Sequence, residues 1–353
     1  MIENIENREN KLEFIAKEYE KQIYGLKLGK KLVLGGYGLV VEASYKNSQK
    51  MAAKLFKKLE NDETKLALEF KSQNIININK IFYGEKDEIN SDYKLVLMEY
   101  ADLKDLKTWI KDLYENNKLK LIVSSPFEEE VSDNVIRYFS YEIIKGLESL
   151  DRKDYCHFDI KPDNILIFKY LIPKITDFSL LRNPEMIKND DNDGTVSLVG
   201  GTPGYLSPEY YCSNFVSMDV AKKQDYFALG VTIFQLKYGY MMIPPKKFKQ
   251  DIVTTNYIFD LIQRAINLIK SKKLSDNDFI NFLINLINYN PEDRPKFEEI
   301  YRNKWVNKNL DKISKCYNIN FLDEEKLFME LNKSDFLIHK KNKLKKNRKK
   351  FIF

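Results

Sequence analysis

The sequence predicts an α+β protein with two core-bearing lobes, the first rich in strands and the second larger and mainly helical. Three observations predict it. The chain has 353 residues, 43% hydrophobic and 31% charged, which is enough apolar side chain for two cores. Between Tyr24 and Tyr100 short apolar runs are separated by turn residues, as in strands. From Leu106 onward the apolar residues recur at helical spacing.

Taken in order, residues 1–23 place Leu12, Ile15, Ala16, Tyr19 and Ile23 on one helical face, a short amphipathic extension that packs on the body. Leu32–Leu34 and Leu39–Val41 read as strands joined by GGYG (Gly35, Gly36, Tyr37, Gly38). Such a turn lets backbone N–H groups approach a phosphate, and it reads equally as an ordinary hairpin turn. The next strand, Met51–Phe56, sets Lys54 inside an apolar run, where a charge needs an anionic partner. Leu59–Gln73 reads as a short glutamate-bearing helix; Asn74–Tyr83 and Tyr93–Tyr100 read as further strands. A helix at Leu106–Tyr114 and a surface excursion at Asn117–Val131 follow. Ser132 and Asp133 are good N-caps for a periodic helix that carries Ile136, Phe139, Ile143, Leu147 and Leu150 on one face.

That helix leads into HFDIKPDNILIFKYLIPKITDFS, His157 to Ser179. Pro162 keeps the first turn out of a helix, and Ile165–Ile167 reads as a short buried strand. Two carboxylates (Asp159, Asp177), a lysine (Lys161) and an amide (Asn164) are thereby gathered around one small hairpin. Phosphoryl transfer asks for this set: a carboxylate to orient a hydroxyl, and oxygen ligands to hold Mg2+ on a nucleotide.

Composition removes other classes. No apolar run approaches the roughly 20 residues of a membrane span, and the first ten residues are polar rather than signal-like. Three cysteines without ligand spacing and two histidines argue against a zinc site and for reduced thiols. The net charge of +6 belongs to the tail: residues 340–350 hold eight Lys/Arg and no acid, so the body is near neutral.

In these motifs the chain resembles the eukaryotic protein kinases over about residues 26–306. HFDIKPDN resembles the catalytic loop, TDFS the metal-binding DFG element, MAAK the strand lysine motif and LGGYGLVV the phosphate-covering loop. GGTPGYLSPE (Gly200–Glu209) resembles the close of the activation segment, QDYFALGVTIFQLKYG (Gln224–Gly239) the long buried helix, and NPEDRP (Asn290–Pro295) the late arginine motif. The resemblance implies a bilobal kinase fold: an extension at 1–23, an N-lobe at 24–100 with one regulatory helix, a C-lobe at 101–306, and a C-terminal extension with a basic tail at 307–353.

It also implies roles. Asp159 would act as catalytic base and Lys161 would stabilise the transferring phosphoryl group. Asn164 and Asp177 would hold Mg2+. Lys54 would contact the ATP phosphates and pair with a helix glutamate: Glu63, with Glu60 and Glu69 as rivals. Gly35, Gly36 and Gly38 would cover the phosphates. Val40, Ala52 and Leu166 would sandwich the adenine. Met98 falls at the gatekeeper, and Glu99–Ala101 (Glu99, Ala101 through their backbone) at the hinge. Asp105 would lie near the ribose or be mere scaffolding. Asp225 would anchor the catalytic-loop backbone, and Glu209 would pair with Arg294.

Three departures from the pattern are visible. Val33 stands at the first loop glycine. Phe158 replaces the arginine that receives a phosphorylated activation loop. Ser179 replaces the DFG glycine, where a Cβ would restrict a positive φ.

Lys161 and Thr202 resemble the Ser/Thr-specific branch. The resemblance thus implies an ATP- and Mg2+-dependent serine/threonine-protein kinase, a transferase acting on protein Ser/Thr hydroxyls. Asp105 and Asp163 would attract a basic residue before the target. The alternatives are a pseudokinase that binds nucleotide or serves as a scaffold, and a small-molecule kinase, against which GGTPGYLSPE and NPEDRP argue. A monomer without stable nucleic-acid binding is expected, cytoplasmic or nuclear. The tail at 340–350 reads as a solvated segment, a nuclear address, or a nucleic-acid or phospholipid contact that Phe351–Phe353 would assist.

Overall fold

The computed structural model describes residues 5–34, 38–46, 49–57, 68, 70, 72–84, 92–114, 133–183, 195–197, 200–211, 213, 215–243, 255–271 and 276–308. The chain divides into two compact units, Met1–Asp102 and Leu103–Phe353.

The first unit holds α1 (Ile5–Gln22), β1 (Leu26–Leu34), β2 (Gly38–Tyr45), β3 (Met51–Lys57), β4 (Ile78–Tyr83) and β5 (Tyr93–Glu99). The strands form one antiparallel sheet in the order β1-β2-β3-β5-β4. Strand alternation sends Leu39, Val41, Ala43, Met51, Ala53, Leu55, Leu95 and Leu97 to one face. There they meet Leu12, Ile15, Ala16 and Tyr19, the apolar stripe of α1. Burying Leu12 and Ile15 contributes about 1.5–3 kcal/mol each, so α1 is part of this core and not an appendage. By the same alternation Val40, Ala52, Lys54, Val96 and Met98 belong to the opposite face.

The strand expected from Asn74 begins only at Ile78. Asn74, Ile75 and Ile76 are buried consecutively, without the alternation a strand needs. The helix expected at 59–73 falls almost entirely outside the described residues.

The second unit holds α2 (Leu106–Tyr114), α3 (Asp133–Asp151), the hairpin β6 (Ile165–Phe168) and β7 (Ile172–Ile175), and the ribbon β8 (Thr195–Ser197) with β9 (Phe215–Ser217). The helices α4 (Met218–Tyr238), α5 (Thr255–Ser271), α6 (Asn277–Leu286), α7 (Phe297–Tyr301) and α8 (Lys304–Asn307) complete it. Buried residues line every side of α4, as expected of a helix at the centre of a bundle. Ser217 caps its start by accepting from the Val220 N–H. Gly239 ends it at φ 78°, where the Tyr114 ring would lie 2.6 Å from a Cβ. No described helix is long and apolar enough to cross a membrane.

Candidate active site

The β6–β7 hairpin fixes the turn that precedes it. Ile165 pairs with Ile175, both fully buried, and the Thr176 N–H donates to the Asn164 carbonyl at 3.0 Å. Pro162 opens a 3-10 turn, and Lys161 before it is extended at φ −164°, as a residue preceding proline prefers. Phe158 sits at φ 61°, a left-handed conformation that costs a bulky residue about 1–3 kcal/mol.

Asp225 of α4 holds that strained turn in place. Its carboxylate accepts the His157 N–H at 2.6 Å and the Phe158 N–H at 2.9 Å. Burial holds its carboxyl above the ordinary range, while His157 and the two N–H groups pull the other way.

Asp159 is 4% exposed and its oxygens are fully engaged. Oδ2 accepts from Lys161 Nζ at 2.7 Å and Asn164 Nδ2 at 2.9 Å. Oδ1 accepts from the Thr202 N–H at 3.0 Å and the Thr202 hydroxyl at 2.6 Å. Lys161 Nζ donates in turn to that hydroxyl at 2.5 Å, closing a triangle of acid, lysine and alcohol. The Thr202 hydroxyl shows what the carboxylate can do: accept a hydrogen bond from an alcohol, with a cation beside the alcohol oxygen.

Arg294, fully buried, meets Glu209 through two N–H···O bonds of 2.7 Å. That fork fastens the Pro208–Tyr211 turn to the late arginine motif.

The ordered acid–lysine–amide turn, the buried helix beneath it and the Glu209–Arg294 fork coincide with a family match: the protein kinase domain, over residues 26–306. The chain belongs to the protein kinase family. It is 29% identical over 294 residues to an Aurora kinase of Saccharomyces cerevisiae, covering 80% of this chain and 69% of that protein. It is 27% identical over 241 residues to a receptor-like serine/threonine-protein kinase of Arabidopsis thaliana, covering 65% and 26%. It is 26% identical over 255 residues to a probable serine/threonine-protein kinase of Dictyostelium discoideum, covering 72% and 31%. The chain thus spans about a third or less of the length of the latter two. α1 lies before the matched region.

Ser179 meets no backbone restriction from its Cβ. The residue belongs to a 3-10 turn, Phe178–Leu180, and does not adopt a positive φ. The left-handed residue is Asp177, at φ 66° and ψ 71°. The constraint expected from a Cβ at position 179 therefore does not arise.

Phe158 is buried with Cys156 and Ala221, and Leu180, Tyr210, Val216 and Met218 pack against them. The residue four along from Phe178, Arg182, is buried and donates to the Ser179 and Leu181 carbonyls.

Asp105 caps α2: its oxygens accept the Thr108 N–H at 2.7 Å and the Thr108 hydroxyl at 3.0 Å. Asp163 pairs with Lys107 at 2.7 Å on the surface, so these two acids are not a bare negative patch. Leu166 lies on β6, bridged to Asp105.

In the first unit Val40 pairs with Lys54, Ala52 with Met98, and Met51 with Glu99. Lys54 Nζ lies 5.1 Å from the Phe56 ring centre. The Glu99 side chain accepts the Asn77 N–H, and Ala101 follows just past β5. A Cβ on Gly38 would stand 2.2 Å from the Leu55 carbonyl oxygen, so the β2–β3 approach alone demands glycine there. Val33, at the first loop glycine, is an exposed β1 residue paired with Val40. Gly35, Gly36, Glu60, Glu63 and Glu69 lie outside the described residues.

Two participants escaped sequence reasoning. Thr202 was legible only as a marker of the Ser/Thr branch, yet it bonds both Asp159 and Lys161. His157 accepts the Asp159 N–H on Nδ1 at 3.2 Å, and its Nε2 lies 2.9 Å from the Thr176 carbonyl. A carbonyl there requires the ring hydrogen on Nε2. Its signal in the sequence was only its place two residues before Asp159.

Membership of the family implies ATP and a divalent metal in general terms, and the residues fit a metal. Asn164 Nδ2 is directed to the Asp159 carbonyl and carboxylate, 2.8 and 2.9 Å away, which fixes the amide orientation and reserves Oδ1 as a hard oxygen donor. One or two carboxylates or carbonyls beside nucleotide phosphates are the usual protein share of a Mg2+ site.

Proposed function

We propose that this chain transfers the γ-phosphate of Mg-ATP to serine or threonine hydroxyls of proteins. The observation that carries the reading is the Asp159–Lys161–Thr202 triangle. A hydroxyl already donates to Asp159 Oδ1 at 2.6 Å with a lysine ammonium 2.5 Å from its oxygen. Replacing the threonine hydroxyl by a substrate hydroxyl gives the arrangement that in-line transfer needs.

Asp159 orients the acceptor hydroxyl and takes its proton as transfer proceeds. Lys161 neutralises charge on the migrating phosphoryl oxygens. Asn164 Oδ1 and the Asp177 carboxylate would hold Mg2+, which when bound would supply charge neutralisation on the nucleotide phosphates. Lys54 contacts the α- and β-phosphates, oriented by Glu63. Gly35, Gly36 and Gly38 cover them, Val40 and Ala52 lie against the adenine, and the Glu99 and Ala101 backbone reads its edge. Asp105 is better assigned to capping α2 than to the ribose. Positioning and charge neutralisation then supply most of the rate.

Serine/threonine preference is supported by Thr202 and by the names of the relatives. The pseudokinase alternative drew on Val33, Phe158 and Ser179, and the backbone at Ser179 removes one of its arguments. Protein substrates, a monomeric state and a cytoplasmic or nuclear location directed by residues 340–350 complete the proposal. Imaging of a fluorescent fusion with and without that tail tests the location. The function itself is tested by transfer from labelled ATP to the chain and to generic basic proteins, with and without Mg2+, for wild type and Asp177→Ala. Metal-dependent label in the wild type alone supports the reading; equal background in both removes it.

A further inference from the structure

The start of α2 is clamped to the strand that leaves the catalytic turn. The Leu103 N–H donates to the Ile167 carbonyl at 3.1 Å, the Ile167 N–H donates to the Lys104 carbonyl at 2.8 Å, and Asp105 is bridged to Leu166. Because β6 begins directly after Asn164, α2 packs against the Pro162–Asn164 turn, whose amide reaches Asp159. Leu106, Trp109, Ile110 and Leu113 turn α2 into the core. Lys104, Lys107 and Lys111 are left exposed, the last two one helical turn apart.

The acids near this face do not cancel it. Asp105 is spent on the Thr108 N–H and hydroxyl, and Asp112 is half-buried. Asp163, the acid of the turn itself, lies 2.7 Å from Lys107 Nζ. The Lys107 side chain is nevertheless 60% exposed, so its ammonium stays open to a second partner, and an ion pair at such exposure rearranges at little cost. Asp159 is bonded by this turn and by Thr202, so an acceptor segment reaches it past those two elements. An extended segment advances roughly 3.3 Å per residue, so residues within three of the acceptor hydroxyl lie within about 10 Å of it, comparable to the distance over which salt screens a charge.

We propose that the lysine face of α2, with Lys107 as its specificity-determining residue, selects acceptor segments that carry acidic side chains beside the target serine or threonine. This rests on the reading of Asp159 as the base that takes the acceptor proton, and it names the substrate class of that site. Lys107 acts twice: it cancels Asp163, which would otherwise attract a basic residue, and it offers its own charge to a carboxylate.

The test uses the full chain as wild type, Lys107→Glu and Lys107→Arg, with acceptor peptides that hold a single serine and carry alanine, glutamate or arginine at each neighbouring position in turn. At the most responsive position the wild type is expected to give a kcat/KM for the glutamate peptide about fivefold above that for the arginine peptide, the order of one exposed charge contact. Lys107→Arg keeps that preference and Lys107→Glu reverses it. All three proteins label the all-alanine peptide within about twofold of one another, and added salt shrinks the preference. A wild type that favours arginine, or is indifferent to charge while labelling the alanine peptide, overturns the proposal and leaves the kinase reading intact. A preference for glutamate that persists in Lys107→Glu overturns it, because another group then makes the selection. Equal loss of alanine and glutamate peptides in Lys107→Glu overturns it too, because the residue is then only structural. A wild type that labels no peptide and no generic protein removes the kinase reading itself, and the proposal with it.

Discussion

The Glu209–Arg294 fork offers a quantitative test of how the second unit is held together. The perturbation is Glu209→Gln, which keeps the shape and removes the charge. Arg294 is fully buried at its side chain and Glu209 is 9% exposed, so solvent cannot take over the lost partner. Two charge-assisted bonds of 2.7 Å weaken together, while Arg294 still donates to the Asn288 and Tyr289 carbonyls and lies over the Phe227 ring. Leaving a buried guanidinium without its counter-charge costs about 3–5 kcal/mol. For a folding unit of about 200 residues that lowers Tm by about 6–20 °C. The assay is circular dichroism melting of the full chain, followed at wavelengths sensitive to helix. Pairing Glu209→Leu with Arg294→Met recovers part of the loss, because an apolar pair replaces a buried ion pair at little net cost. A Glu209→Gln protein melting within about 2 °C of wild type refutes the reasoning.

Other perturbations probe separate parts of the molecule. Asp225→Asn turns an amide N–H toward a backbone N–H now 2.6 or 2.9 Å from a carboxylate oxygen; about 1–3 kcal/mol of stability and more than tenfold in transfer rate are lost, read by urea titration and initial rates. Gly38→Ala forces a methyl group against the Leu55 carbonyl and Phe56 Cβ, and costs about 1–3 kcal/mol in urea unfolding even without nucleotide. Phosphatase treatment leaves the rate within about twofold, because the apolar cluster around Phe158 offers a phosphate no partner and Arg182 is turned to backbone carbonyls; a large loss contradicts this. Cys156 resists alkylation in the native chain, since burial pushes its thiol well above the ordinary range, and it labels only on unfolding, as peptide mass spectrometry reads.

The chain revealed its fold through patterns that local physics makes unambiguous. Helical spacing of Leu12, Ile15, Ala16 and Tyr19 located α1, and short apolar runs between turn residues located β2, β3 and β5, strands buried along most of their length. The wrong start for β4 came from Asn74–Asn77, where consecutive buried isoleucines imitate a strand. The β8–β9 ribbon joins three-residue strands, too short for any periodicity to show. At the site, Asp159, Lys161 and Asn164 were legible because they share one turn. Thr202 comes from 43 residues away, and no local rule links an alcohol to an acid at that separation. The expectation at Ser179 failed because a glycine's presence in a motif does not reveal which residue carries the positive φ; here it is Asp177.

The most direct test of the central claim is the rate of labelled phosphate appearing on serine and threonine with Asp159→Asn beside wild type. The substitution keeps the size of the side chain but leaves an amide facing Lys161 or Thr202, with no base for the hydroxyl proton. Label on serine or threonine is expected in the wild type, with a fall of about 100-fold or more in the variant, at the lower end of what a positioned general base contributes. Equal rates in the two proteins would contradict it.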